Sequence, residues 1–156
     1  MIDYSCLKGK LAFISGATGA IGSEIAISLA NAGVNLVISG SNQEGLLKLK
    51  NKLSNDVAVI VGDVSQQSEV FRIIDEILLL GNIDILVNCA GVFPQKNISD
   101  LGIDEYNKVM NINLNAPYFL SAALSRNMIK NKWGRIINIG SASSYAGFKN
   151  TIAYCA

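Results

Sequence analysis

Short, continuous runs of apolar residues alternate with longer amphipathic segments along this chain, and this alternation restricts its fold more than any other feature. Because the apolar runs are not interrupted at every second residue, we expect strands that are buried on both faces, as in a parallel sheet covered by helices. A strand followed by a helix about every 25 residues is the βαβ pattern. The sequence therefore predicts an α/β fold, a doubly wound parallel sheet in one domain.

The bounds of the predicted elements follow from these apolar runs and from the helical spacing of the residues between them. The segment 104–131 is expected to be one long helical region. The predicted strands are 11–15, 34–39, 57–61, 83–87 and 134–139, and the other predicted helices are 21–32, 44–53 and 67–80. The first helix is expected to carry on or near its apolar face the side chains of Ile21, Ile25, Ile27 and Leu29.

The composition excludes several classes of partner. The 156 residues have a net charge of +1 and no block of like charge, so no surface for nucleic acid or anionic lipid is expected. No apolar run reaches membrane-spanning length, and residues 1–10 lack the apolar core of a secretory signal. Three widely spaced cysteines favour reduced thiols over disulfides or a metal site. We therefore expect a cytoplasmic protein without a metal.

The chain contains no histidine. This excludes a Ser-His-Asp triad, a histidine general base and His-ligated metals. Any acid–base chemistry has to use Tyr, Lys, Asp, Glu or Cys.

A glycine-rich segment, Ser15-Gly16-Ala17-Thr18-Gly19-Ala20-Ile21-Gly22, lies between the first predicted strand and the first predicted helix. Glycines there allow a tight turn and close approach of a pyrophosphate, while the helix N-terminus offers free N–H groups and the positive end of its dipole. Glycines also serve ordinary turns, but this position favours dinucleotide binding. A P-loop is excluded, because no GxxxxGK[ST] occurs.

The segment resembles the TGxxxGxG loop of the short-chain dehydrogenases/reductases, with Ser15 in place of Thr and Ala20 in place of the middle Gly. Because alanine restricts the backbone, Ala20 is expected to keep a negative φ. The three glycines also fit the TGxxGxxG loop of the longer, epimerase-like branch, so the loop alone does not distinguish the branches. The resemblance implies a Rossmann fold and assigns cofactor binding to Ser15, Gly16, Thr18, Gly19, Ala20, Ile21 and Gly22.

Asp63 and Val64 follow the third predicted strand. The resemblance implies that the Asp63 carboxylate takes the adenine amino group and that the Val64 backbone lines the adenine pocket. An aspartate that caps the next helix is the alternative, and on its own it is about as well supported.

Asn88-Cys89-Ala90-Gly91 follows the fourth predicted strand and resembles the Asn-Asn-Ala-Gly motif of the short branch. The resemblance implies that the small residues Ala90 and Gly91 let the backbone approach the cofactor ribose and that Asn88 ties neighbouring strands together. Cys89, in place of the second Asn, is expected to pack as a small buried residue. A turn without a cofactor is the alternative.

Asn113 matches the helix asparagine of the family's catalytic tetrad, which holds a water of the proton relay through its backbone. An Asn inside a helix is locally unfavourable, which favours a role for it. A solvent-facing Asn is the alternative, since Asn111 and Asn115 lie nearby.

Ser141 follows the fifth predicted strand, and Tyr154 follows thirteen residues later, which matches the spacing of the family's active-site serine and tyrosine. The resemblance implies that Ser141 holds the substrate oxygen, and that Tyr154 is the acid or base and also contacts the cofactor. Because a phenol is mostly protonated near neutral pH, such a base needs an adjacent ammonium or cationic nicotinamide. Three other serine and tyrosine residues do not have this spacing and are expected in the loop over the substrate: Ser143, Ser144 and Tyr145.

The YxxxK motif of the family begins at Tyr154, and its lysine would fall two residues after Ala156, whereas Lys149 precedes the tyrosine. The resemblance thus covers the whole chain but only the first part of a typical member. We expect a single NAD(P)-binding Rossmann domain over residues 1–156, truncated after the fifth strand, with that strand exposed as an edge. The 156-residue chain alone is expected to have negligible reductase activity, and the full-length form is expected to be a homo-oligomer.

The stretch after the second predicted strand bears on the choice of nicotinamide. NAD enzymes usually place Asp or Glu there to bind the ribose 2′-OH. Here it reads Ser39-Gly40-Ser41-Asn42, so a 2′-phosphate would meet no repulsion and would be held by Ser41 and Asn42. Although no Arg stands there, this favours NADP over NAD.

Two hypotheses for the function remain. The first is an NAD(P)-dependent oxidoreductase that acts on a small-molecule or acyl-carrier-linked carbonyl. Its motifs most resemble those of the 3-oxoacyl-acyl-carrier-protein reductases. The second is a non-catalytic dinucleotide-binding truncated protein. A methyltransferase of similar fold is disfavoured, because its acidic residue after the second strand is missing.

Overall fold

Five parallel strands form one sheet in the computed structural model, which describes residues 4–53 and 56–155. The order across the sheet is β3-β2-β1-β4-β5. After β3 the chain crosses back to the middle of the sheet, and β4 and β5 are then added on the other side of β1. This order is that of a doubly wound fold. The predicted Rossmann fold is confirmed. The strands are β1 (Leu11–Ser15), β2 (Asn35–Gly40), β3 (Val57–Val61), β4 (Ile85–Asn88) and β5 (Arg135–Asn138).

Helices cover both faces of the sheet. Alternate residues of a strand point to opposite faces, so Ile14 packs with α1 and α2, whereas Phe13 packs with α3 and α5. In the part of the chain that the structure describes, no helix combines the length and apolar character needed to cross a bilayer. The helices are α1 (Ala20–Asn31), α2 (Gln43–Lys50), α3 (Gln67–Leu80), α4 (Ile103–Met110), α5 (Ala116–Lys130) and α6 (Ile152–Cys155).

The long helical region predicted over 104–131 is continuous but not uniform. It consists of α4, a π-helical turn over Asn111–Asn115, and α5. Insertions of this kind are rare in helices and are frequent at functional sites. The other elements agree with prediction: β1, β3 and α3 have the predicted bounds, and the rest are displaced by one to three residues.

The apolar face predicted for α1 was wrong at Ile21, which is 57% exposed. The residues buried against the sheet are Gly22, Ala26 and Ala30, which recur every four residues on one face. Their small side chains let the helix lie close to the strands. The larger side chains of Ile25, Ile27 and Leu29 pack only partly against this core.

Burial on both faces was also wrong for one strand. All four residues of β5 are exposed, including Ile136 and Ile137. Among the described residues β5 pairs only with β4, and none of its residues belongs to the two core clusters, whereas the other edge strand, β3, packs Val57 and Ile60 against α2 and α3. The expected exposed edge is therefore present.

Asp84 links the first residues of β1 and β4. One carboxylate oxygen accepts a hydrogen bond from the Leu11 N–H (3.0 Å), and the other accepts one from Lys10 Nζ (3.2 Å). Lys10 Nζ also lies 4.2 Å from the centre of the Trp133 ring. The carboxylate therefore ties together a backbone amide and a cation at this end of the sheet.

We expect Asp84→Ala to lower the free energy of unfolding by about 1–3 kcal/mol, because it leaves a strand amide without its acceptor. Lys10→Met removes only the ion pair and the cation–π contact, and should cost about 1 kcal/mol. Urea denaturation of both variants checks this. Equal losses would mean that the bond to the Leu11 amide contributes nothing.

Candidate active site

The carboxyl ends of β1, β4 and β5 open into a cleft of about 800 Å³. Ligands of open α/β sheets bind at this edge, and the volume lies in the range of small-molecule sites. Eleven of the predicted site residues line it: Gly16, Gly19, Ala20, Ile21, Gly22, Asn88, Ala90, Gly91, Asn113, Ser141 and Tyr154.

The glycine loop forms one wall of the cleft, and its first glycine is sterically required. Gly16 has φ of 66°, and a Cβ on it would lie 2.6 Å from the backbone N and Cα of Ala90. A Cβ on Gly22 would collide with the carbonyl oxygen of Gly16. The loop therefore packs backbone against backbone, which only glycine permits at these two positions.

The N-terminus of α1 points into the same cleft. Its N-cap residue is Gly19, which has no capping side chain, and Ser23 is the first residue whose N–H reaches back to it. Within residues 4–53 and 56–155, no side chain is recorded as an acceptor for the N–H groups of Ala20, Ile21 or Gly22. Ala20 keeps a negative φ, as expected. The turn thus presents free amides to an anionic group.

Ser15 lies next to this loop but does not line the cleft. Its side chain is 3% exposed, and its hydroxyl accepts hydrogen bonds from the N–H groups of Cys89 (3.1 Å) and Ala90 (3.3 Å). Ser15 therefore holds the segment after β4 against the glycine loop.

Asn88 connects strands in the floor of the cleft, as expected. Its Nδ2 donates to Asn138 Oδ1 on β5 (2.8 Å) and to Ser121 Oγ on α5 (3.3 Å). Its Oδ1 is buried and has no hydrogen-bond partner among the described residues. Sequence reasoning missed Asn138 and Ser121; the one signal was the polar Asn138 directly after the apolar pair Ile136-Ile137.

Asn113 lies in the π-helical turn, and its side chain does not face solvent. Its Oδ1 accepts from the Val92 N–H (2.9 Å), and its Nδ2 donates to the Val92 carbonyl (3.0 Å). Asn111 is engaged as well, since its Nδ2 donates to the Ser65 carbonyl (3.0 Å). The π-helical turn is therefore hydrogen-bonded both to the segment after β3 and to the segment after β4.

Ser141 and Tyr154 line the same cleft from different elements. Ser141 starts a short 3-10 turn, Ala142–Ser144, and its Oγ accepts from the Ser143 N–H (3.2 Å). Tyr154 lies on α6, with its ring 4.5 Å from that of Phe93 in an edge-to-face arrangement. Tyr145 is 95% exposed and does not line the cleft.

Four predicted residues lie away from the lining of this cleft, around the ends of β2 and β3. Asn42 caps α2 by accepting from the Gly45 N–H (2.9 Å), and Ser41 beside it is exposed.

After β3, Asp63 Oδ1 accepts a hydrogen bond from the Ser65 N–H (2.9 Å). This bond closes a turn before α3, so Asp63 is not the N-cap of that helix. Val64 borders a separate cavity of about 100 Å³. Thr18, also outside the lining, lies beside Gly40 and Gly45.

Cys89 lies in the cleft wall, and burial raises the pKa of its thiol. No group of three or more His, Cys, Asp or Glu residues suited to a metal occurs in the described ranges.

Since the thiolate is the reactive form, we expect iodoacetamide to alkylate Cys89 more slowly than the exposed Cys6, with the rate rising only at higher pH. Peptide mass spectrometry over a pH series measures both rates.

The same assay in urea provides the control, because burial is then removed and the two cysteines should react alike. If Cys89 in the folded chain reacted as fast as Cys6, its thiol would not be shielded.

Comparison with known proteins gives consistent matches. A family model described as short chain dehydrogenase matches residues 10–156. The 3-oxoacyl-[acyl-carrier-protein] reductase of Rickettsia typhi is 36% identical over 156 residues, which are 100% of this chain and 62% of the relative. The corresponding reductase of Buchnera aphidicola is 36% identical over 140 residues, 88% of this chain and 57% of its own. The chain thus spans about three fifths of the length of these relatives.

Solved structures agree with the sequence matches. A metagenomic short-chain oxidoreductase in complex with NADP superimposes with a TM-score of 0.92 at 28% identity, over 97% of this chain and 70% of the other. An NAD+-bound xylitol dehydrogenase superimposes with a TM-score of 0.87 at 30% identity, over 96% and 59%.

Proposed function

Because this chain belongs to the short-chain dehydrogenase family, we propose that it is the cofactor-binding part of an oxidoreductase that transfers hydride between a nicotinamide and a carbonyl or alcohol. One observation carries this proposal. The glycine loop with its uncapped helix lies in the same cleft as Ser141 and Tyr154. A dinucleotide held on that loop would extend toward the two side chains that handle the substrate oxygen.

The cleft fits a dinucleotide. Gly16 and Gly22 let the loop pack tightly against Ala90 and against its own backbone, and no side chain caps the amides of Ala20, Ile21 and Gly22 among the described residues, so these amides can donate to a pyrophosphate. Ala90 and Gly91 line the cleft beside this loop, where a ribose would lie. Gly16, Gly19 and Gly22, with Ser15 behind them, are therefore proposed as the pyrophosphate site.

We assign the adenosine end to the residues after β2 and β3. Ser41 and Asn42 are exposed and carry no charge, and Thr18 lies beside Gly40 and Gly45. The nearest acid in α2, Glu44, is paired with Lys48 (2.6 Å). This environment favours a 2′-phosphate and hence NADP, as in the NADP complex of the metagenomic relative. Asp63 and Val64 are proposed to lie beside the adenine.

When bound, the nicotinamide supplies or accepts the hydride. Ser141 orients the substrate oxygen by hydrogen bond, and Tyr154 gives a proton to that oxygen in reduction or takes it in oxidation. Asn113 holds the wall of the cleft through Val92. The similarity to 3-oxoacyl-[acyl-carrier-protein] reductases supports an acyl-carrier-linked carbonyl, with a small-molecule carbonyl as the other class. We further propose a single domain, a cytoplasmic location and a homo-oligomeric longer form.

The first test is binding by the 156-residue polypeptide. We expect saturable binding of NADPH in calorimetry and no consumption of NADPH with carbonyl substrates, because the polypeptide contains no lysine four residues after Tyr154. The proposal would be refuted if the polypeptide bound neither NADPH nor NADH. Steady turnover would refute the expected inactivity of this polypeptide.

The second test concerns the reaction. The chain is extended beyond Ala156 with the matching segment of the Rickettsia typhi reductase, and NADPH consumption is measured. We expect Tyr154→Phe to lower turnover by about 10²–10⁴-fold, the usual contribution of a positioned acid or base. Tyr145→Phe is the matched control, because that side chain is 95% exposed. Turnover without loss in Tyr154→Phe would exclude the assigned role. Binding with no turnover in the extended chain would favour a non-catalytic dinucleotide-binding protein.

A further inference from the structure

Phe93 follows β4 in the segment that borders the cleft, and it is not a core residue. Its side chain is 48% exposed, yet its ring lies 4.5 Å from the Tyr154 ring at an interplanar angle of 70°. Edge-to-face pairs are the favoured arrangement of aromatic rings at this distance. Phe93 therefore belongs to neither core cluster and makes its aromatic contact with the proposed acid or base.

The segment that carries Phe93 is anchored at both ends. On one side, Asn113 holds both the N–H and the carbonyl of Val92. On the other side, the Lys96 N–H donates to the Asn150 carbonyl (2.7 Å), and Lys96 forms a parallel bridge with Thr151. Lys96 Nζ also pairs with Glu105 on α4 (2.6 Å). The position of Phe93 is therefore fixed relative to the π-helical turn and to the start of α6.

The placement of Tyr154 has two parts, its backbone and its phenol ring. Its backbone N–H donates to the Thr151 carbonyl (3.0 Å), in the turn that begins the helix Ile152–Cys155. Thr151 is buried, and its hydroxyl donates to the Phe148 carbonyl (2.7 Å), which fixes the backbone just before this helix. The recorded aromatic neighbour of that ring within the described residues is Phe93.

We propose that Phe93 is a positioning residue for the Tyr154 phenol and that residues 92–96 transmit the placement of Asn113 to it. This inference rests on the proposed function of Tyr154. Asn113, Phe93 and Tyr154 then form one connected set, which links the π-helical turn to the phenol through Val92.

The test uses the 156-residue chain labelled with ¹³C in its tyrosine rings, with the Tyr154 signal assigned by its loss in Tyr154→Phe. We expect the ring current of Phe93 to displace this signal from that of the exposed Tyr145. Phe93→Leu should remove the displacement, and Phe93→Tyr, which restores a ring, should recover it. Phe148→Leu is the matched control, because Phe148 is similarly exposed (54%) and has no recorded ring contact among the described residues.

Addition of NADPH gives the second readout. In the unchanged chain NADPH should shift the Tyr154 signal, and in Phe93→Leu this shift should shrink while the Kd stays within about twofold. A Tyr154 signal that Phe93→Leu leaves unchanged would overturn the proposal. So would a parallel loss of NADPH affinity, which would make Phe93 a cofactor contact. If the unchanged chain bound no NADPH, the proposed function would fail, and the ring shifts alone would decide the role of Phe93.

Discussion

Gly16→Ala is expected to lower the free energy of unfolding by about 2–5 kcal/mol and to weaken NADPH binding by more than about tenfold. Two costs add. A left-handed backbone is strained for alanine, by about 1–2 kcal/mol, and the new Cβ would lie 2.6 Å from the backbone of Ala90. Overpacking of this kind costs about 1–3 kcal/mol. Relief requires the glycine loop and the segment after β4 to separate, which moves the proposed pyrophosphate and ribose sites apart.

Two other glycines separate these causes. Gly9 has a similar φ of 77° but open space where a Cβ would lie, so Gly9→Ala measures backbone strain alone. Gly147 has neither a positive φ nor a neighbour within 4 Å, so Gly147→Ala should change stability by about 0.5 kcal/mol or less. Urea denaturation and calorimetry with NADPH are run on all three variants. If Gly16→Ala behaved like Gly9→Ala in both assays, the contact with Ala90 would not matter.

The fold could be predicted because its signals are local. Each strand contains a contiguous apolar run, and the bounds of β1, β3 and α3 follow from the residues within them. Predictions were wrong where the burial of a residue depends on the elements that surround it. Ile21 looks like a core residue by composition, but it faces the cleft, and β5 looks like a buried strand but lies at the edge.

The candidate site was predictable as motifs but not as contacts. Gly16 and Asn88 could be named because a turn and a strand end require residues of their kind. Their partners could not be named, since Asn88 bonds Asn138 fifty residues away and Asn113 bonds Val92 twenty-one residues away. Such pairs form only when the sheet brings distant segments together. Phe93 carried no motif at all, and its contact with Tyr154 follows from tertiary structure alone.

Some predicted binding residues proved to have structural partners, and this changes how they should be tested. The Asn42 side-chain oxygen caps α2, so its replacement would perturb the helix together with any bound phosphate. No hydrogen bond or ion pair is recorded for the exposed Ser41 side chain among the described residues. Ser41 is therefore the better position at which to ask which nicotinamide the chain prefers.

Ser41→Asp is expected to weaken NADPH binding by about 10–100-fold, which corresponds to about 1.4–2.8 kcal/mol. A carboxylate at this position would repel a 2′-phosphate, whereas it would accept a hydrogen bond from the 2′-OH of NADH. The preference for NADPH over NADH should therefore fall or reverse. Because the position is exposed, the loss should shrink as salt is added.

Ser41→Arg and Ser41→Asn complete this experiment. The arginine should strengthen NADPH binding and leave NADH binding nearly unchanged, since only the 2′-phosphate offers a charge to pair with. The neutral asparagine should leave both affinities nearly unchanged, which separates the effect of charge from that of side-chain size. Dissociation constants for both cofactors are measured by calorimetry at two salt concentrations. If the ratio of the two constants were the same in the aspartate and arginine variants, the 2′-phosphate would not lie at the end of β2, and the assignment of NADP to this surface would be wrong.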